Sequence, residues 1–176
     1  MNDFEALLAK QLANAIENAR LSGRDDIADY LALKAANDSV RQREADDLFK
    51  AFIGVALSAE NVARNVTVER ESPHIFQYGN ANMRGSLLRL TRGLRCLTLE
   101  TGWTRGPADG FMRLGAMAVA RIKHFGIPER NAELVLRPNG DAHSWFETRN
   151  DAVSKVPFRP EDVVRHLDIF LRDRVR

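Results

Sequence analysis

A single change of period divides this sequence. Up to about Asn65, apolar residues recur at intervals of three and four; beyond it they alternate, as in Val66-Thr67-Val68-Glu69 and Ile75-Phe76-Gln77-Tyr78. The first spacing puts side chains on one face of a helix, and the second puts them on one face of a strand. The chain is therefore expected to be α+β. Residues 1–64 form a helical N-terminal region for association or packing, and residues 65–176 form a mainly antiparallel α+β domain.

Three helices are expected before the change. Leu7, Leu12, Ile16 and Ala19 mark the first, from Asp3 to Leu21, with Asn2 or Asp3 as cap and Gly23 at its end. Asp25 or Asp26 opens a second helix, which runs to about Asn37. Asp38 or Ser39 opens a third, which runs to about Ala63. Phe49, Phe52 and Ile53 crowd one face of the third helix and are the candidate association residues.

After Asn65 the expected order is four strands, a helix, two strands and a helix, so the whole reads ααα-ββββ-α-ββ-α with five or six strands in the sheet. Ser72-Pro73 reads as a turn between the first two strands and Gly79–Asn82 as a loop. Gly85–Thr91 and Leu94–Thr101 read as a hairpin around Arg92-Gly93. This pairs Leu88 with Leu97 and Leu90 with Arg95, and buries Leu88, Leu90, Leu97 and Leu99 together. Gly106-Pro107-Ala108-Asp109 has the composition of a helix start and Gly126-Ile127-Pro128 that of a stop. Phe111, Leu114, Ala118, Ile122 and Phe125 form a stripe between them. Ala132–Arg137 and Ala142–Thr148 flank Asn139-Gly140, a strong hairpin signal. A last helix runs from Pro160 to Arg172. At the level of fold alone, the strand-strand-strand-helix-strand-strand-helix order resembles that of small secretion chaperones. The net charge of +2 runs against the acidic chain which that resemblance implies.

The charge is unevenly spread. Residues 1–50 carry 7 Lys and Arg against 10 Asp and Glu, residues 51–130 carry 11 against 6, and residues 131–176 carry 8 of each. Positions 84–123 hold 8 basic residues and only Glu100 and Asp109 as acids. Cys96 is the single cysteine, which excludes an intrachain disulfide. There is no apolar run long enough to span a bilayer and no signal-peptide pattern, so a cytoplasmic location is expected, without membrane contact.

No motif for catalysis, nucleotide phosphates or metal is present, and no cofactor or metal is expected. The leading expectation is a non-catalytic interaction protein that binds itself or another protein, as a homo-oligomer in the first case. Arg84, Arg89, Arg92, Arg95, Trp103, Arg105, Arg113, Arg121 and Lys123 are its candidate anion- or partner-binding residues. The same residues carry the alternative of nucleic-acid binding, since a basic sheet face attracts phosphates. A second alternative is a small enzyme with an acid/base site formed by Glu100, Arg105 and His143.

Overall fold

The computed structural model describes residues 3–58, 61, 65–150 and 152–172. Three helices and seven strands follow the order α1 (Asp3–Leu21), α2 (Asp25–Ala56), β1 (Thr67–Tyr78), β2 (Ala81–Arg92), β3 (Arg95–Trp103), β4 (Ala118–His124), β5 (Ala132–Asn139), β6 (Ala142–Arg149), β7 (Ala152–Pro157) and α3 (Pro160–Leu171). The strands form one antiparallel sheet in which each pairs with the next, β1 to β7. The α+β class and the antiparallel sheet agree with the sequence reading, and the sheet has seven strands rather than five or six.

Two compact units divide at Arg43 and Glu44, inside α2. The first, up to Arg43, is a helical hairpin turned by Gly23, whose φ of 70° suits a residue without a Cβ. Among the side chains described there, Ala19 and Ala28 are buried, while Leu7, Leu21, Tyr30 and Leu33 are more than half exposed.

The second unit holds the sheet. Its main core lies on one sheet face, where Leu88, Leu90, Leu97, Leu99, Ile122, Leu134 and Leu136 meet Leu48, Phe49 and Phe52 of α2 and Val163, Leu167 and Phe170 of α3. A smaller cluster of Phe76, Met83, Val119 and Val135 lies apart from it. Strand alternation assigns that cluster to the opposite face.

Four expectations are corrected. The second and third helices are one helix of 32 residues. Asp38 pairs with Arg41 one turn on, and the Ser39 hydroxyl donates to the Ala35 carbonyl, so both side chains act within a continuous helix rather than capping a new one. The helix ends at Ala56, short of the expected end near Ala63, and the Asn2 cap lies outside the described residues. The two strands around Ser72-Pro73 are the single strand β1, whose register against β2 shifts between Glu71 and His74. The bulge absorbs the proline, which has no N–H to give to a ladder.

The third correction is the largest. No helix spans Gly106 to Gly126. A short 3-10 turn at Pro107–Asp109 leads through a loop to strand β4. Gly110, Leu114 and Gly115 have φ values of 94°, 61° and 64°, which no right-handed helix allows. The expected stripe breaks up, with Phe111 84% and Phe125 77% exposed, and Ala118, Ala120 and Ile122 are buried by strand alternation. Without that helix the element order no longer resembles the secretion-chaperone arrangement. Fourth, the central hairpin turns at Gly93-Leu94, pairing Leu88 with Leu99 and Leu90 with Leu97. The slip from the expected pairing is two residues, so the same leucines stay on the buried face.

Candidate functional site

Alternation along the strands sorts the basic residues before any contact is considered. Arg84, Arg92 and Arg95 fall in phase with Leu88, Leu90 and Leu97, the helix-covered face. Arg89, Arg121 and Lys123 fall on the other. The nine candidate residues therefore do not share one plate.

On the helix-covered face, Arg92 donates to the Leu171 carbonyl at 2.7 Å and Arg95 to the Ile169 carbonyl at 2.8 Å. These carbonyls belong to the last turn of α3, which has no further helical N–H to meet them and carries the negative end of the helix dipole. Both arginines thus fasten α3 to the sheet. Phe49 and Phe52, expected to associate with a partner, are 1% and 0% exposed and pack in the chain's own core with Ile53 at its margin.

The opposite face holds the densest ionic cluster. Glu100 of β3 is 8% exposed. One of its oxygens accepts from Arg121 at 2.9 Å and lies 3.0 Å from Lys123 Nζ; the other lies 3.2 Å from His74 Nε2. His74 Nδ1 is 3.3 Å from Glu71. Register explains the meeting, because Glu100 stands directly opposite Arg121 on β4. Phe76 closes one side, with the His74 ring 5.8 Å away and nearly parallel and the Arg121 guanidinium 5.3 Å from the ring centre. Burial alone would raise the Glu100 pKa, but the Lys123 and His74 hydrogen bonds and the Arg121 charge outweigh it, and the carboxyl titrates below its ordinary range. Glu100→Gln should lower stability by about 1–3 kcal/mol, because the Arg121 and Lys123 cations then share a neutral amide. Urea unfolding checks this, with a lower midpoint and an unchanged slope expected.

A second cluster sits at the end of the sheet beyond Trp103. Asp109, also 8% exposed, accepts the backbone N–H groups of Arg105 and Gly106 at 2.9 and 3.2 Å and lies 3.4 Å from Arg84 Nη2. The Arg105 amide bond is the main reason its pKa is lowered, with the Arg84 charge assisting against burial. The Arg105 guanidinium lies 4.0 Å over the Trp103 ring, which is 2% exposed and belongs to the main core. Trp103 therefore supports an arginine and is not a free stacking surface. The fold brings Arg84, Trp103 and Arg105 together here, and Arg113 follows in the same loop.

Glu100, Arg105 and His143 are not brought together. Glu100 is on β3 and His143 on β6, with β4 and β5 between them. Three strand spacings of about 4.8 Å separate them by roughly 14 Å, beyond any hydrogen bond. Glu100 has His74 as its histidine instead, which sequence reasoning overlooked. The signal was present: Val119, Arg121 and Lys123 alternate with Ala118, Ala120 and Ile122, but helix punctuation at both ends hid the strand. Among the described residues, no three His, Cys, Asp or Glu side chains gather as a metal site.

No helix among the described residues is long and apolar enough to cross a membrane. No protein-family model, curated protein or solved structure matches this chain.

Proposed function

We propose that this chain is a non-catalytic interaction protein that self-associates through the helical hairpin of residues 3–43, with the sheet unit presenting its basic segment to a partner. One contrast carries the reading. The sheet unit closes its main core with its own α2 and α3 residues, whereas the hairpin leaves Leu7 53%, Leu21 80%, Tyr30 65% and Leu33 62% exposed. A groove along α1 of about 510 Å³, lined by Ala13, Ile16, Glu17, Arg20 and Leu21, lies on the same unit. Two helices alone shield each other on one side only, and most of a helix's stability in a protein comes from packing its apolar face. A second copy laying its hairpin against the first would make a four-helix arrangement and cover these side chains.

Light scattering on the eluting protein tests this. A mass twice the 19.8 kDa of one chain is expected at micromolar concentration. Leu7→Glu with Leu33→Glu, at exposed positions that leave each hairpin intact, should weaken association by at least about tenfold. A chain that remains a monomer at every concentration, or a dimer insensitive to both changes, removes the proposal.

A further inference from the structure

Both acidic residues of the 84–123 segment, Glu100 and Asp109, are buried at 8% exposure. Its eight basic residues are not equally presented. Arg92 and Arg95 hold α3 carbonyls, Arg121 and Lys123 hold Glu100, and Arg89 lies 3.1 Å from Glu69; all five are half-buried. The three exposed ones are Arg84, Arg105 and Arg113, and all belong to the end of the sheet where β3 leaves for residues 104–117. Arg113 lies beside the β1–β2 turn, about 4.0 Å from where a Cβ on Gly79 would sit, and Arg137 of β5 approaches Gly115 similarly, at 3.8 Å. From this loop Phe111 projects, 84% exposed.

We propose that this loop is a contact site for single-stranded nucleic acid, with Arg84, Arg105 and Arg113 meeting phosphates and Phe111 stacking on a base. The proposal goes beyond self-association and does not depend on it. Guanidinium groups pair with phosphate oxygens through charge and paired hydrogen bonds. Bases unstacked from a duplex lie flat on aromatic rings and on arginine planes. Arg105 is already seated on Trp103, and Asp109 ties down the backbone on either side of the 3-10 turn, so little order remains to be imposed on binding. A bilayer fits less well. Met112 and Leu114 are half-buried against the core clusters, leaving Phe111 as the single large apolar side chain presented by the loop. One ring offers too little apolar area for stable insertion.

Fluorescence anisotropy with the full chain and labelled oligouridine and oligothymidine of about 20 nucleotides tests the proposal. Binding to at least one is expected at about 50 mM salt, with a loss of about 20-fold at 200 mM if three phosphates are contacted. Phe111→Ala should weaken binding by about tenfold or more and leave the salt slope unchanged. Arg105→Gln with Arg113→Gln should flatten the slope by about 1.4, and Arg89→Gln, five residues along β2 from Arg84 and beside Glu69, should change nothing. No binding at low salt, binding indifferent to Phe111 and these arginines, or capture by phosphatidylserine vesicles without oligonucleotide binding each overturns it. Circular dichroism confirms that the variants keep their fold.

Discussion

Unfolding measured between pH 7 and pH 4.5 is expected to show a steep loss of stability that begins near pH 6.5. The cause is a pair of histidines in the main core. His124 Nε2 and His166 Nδ1 are 2.9 Å apart, their rings are close to parallel, and each residue is 4% exposed. Phe52 and Phe158 flank His166 at 6.4 and 6.0 Å between ring centres, and His166 Nε2 is buried with no hydrogen-bond partner. Burial lowers the pKa of both from 6.5 to about 4, with Arg130 adding to the cost of charging His124. The His124 charge and Arg165 act the same way on His166, against the opposing Asp162. Below pH 6.5 the unfolded chain takes up protons that the folded chain refuses, so stability is full above 6.5 and falls until the folded pair titrates near 4. The slope is about 1.4 kcal/mol per pH unit for each histidine that titrates independently, and less for two that share a hydrogen bond. Glu100 acts in the same direction at lower pH, because its depressed pKa lets the unfolded carboxylate protonate first. The double variant His124→Leu, His166→Leu removes both hydrogen-bonding partners at once and should be nearly flat from pH 7 to 5. A wild-type urea midpoint that does not move over that range is incompatible with a neutral buried pair.

That pair was not legible from the sequence, where the two histidines stand 42 positions apart on a strand and a helix. Neither lies in a local pattern, and the contact exists because α3 packs back on the sheet. The elements with local punctuation fared best. Pro160 with Glu161 and Asp162 predicted α3 to within a residue, and the Asp162 carboxylate does accept the Arg159 N–H at 2.8 Å. Asn139-Gly140 predicted the β5–β6 hairpin, although the two turn residues are Gly140 and Asp141. Leu88, Leu90, Leu97 and Leu99 were placed on one buried face in spite of the wrong register, because a slip of two preserves strand phase. Punctuation also misled. Gly106-Pro107 and Gly126 imitate helix ends, and Phe111, Leu114 and Phe125 complete a helical stripe, yet backbone angles at Gly110, Leu114 and Gly115 turn the chain out of any helix. Strand β7, with its exposed residues and Lys155, offered no apolar run to detect. The basic segment was visible as composition, but which three of its arginines face outward depends on long-range partners: α3 carbonyls, Glu69 and Glu100.

Two glycine substitutions should move stability in opposite directions, and the larger effect is at Gly85. This residue lies opposite Gly102 in the β2–β3 ladder. A Cβ added there would overlap the carbonyl oxygen of Thr101 and stand 2.7 Å from Gly102 Cα, both backbone atoms of the neighbouring strand. A flexible side chain can swing aside, but a strand in mid-sheet cannot yield without losing its own hydrogen bonds. Across the ladder, a Cβ on Gly102 would meet Phe76 Cε1 at 3.0 Å, so the aromatic ring lies over the space the paired glycines leave. Gly85→Ala should therefore cost about 3 kcal/mol, the upper end for overpacking, and lower Tm by roughly 10 °C. It should also disturb the Glu100 cluster, since Gly85 pairs on its other side with His74. Gly54, in the last turns of α2, has nothing within 4 Å of an added Cβ and no positive φ. Gly54→Ala should stabilise by about 0.5–1 kcal/mol, through the lower backbone entropy of alanine in the unfolded chain. Urea unfolding of both variants decides the matter. Equal small effects at the two positions would mean that β2 and β3 are not held as closely at Gly85 as this geometry requires.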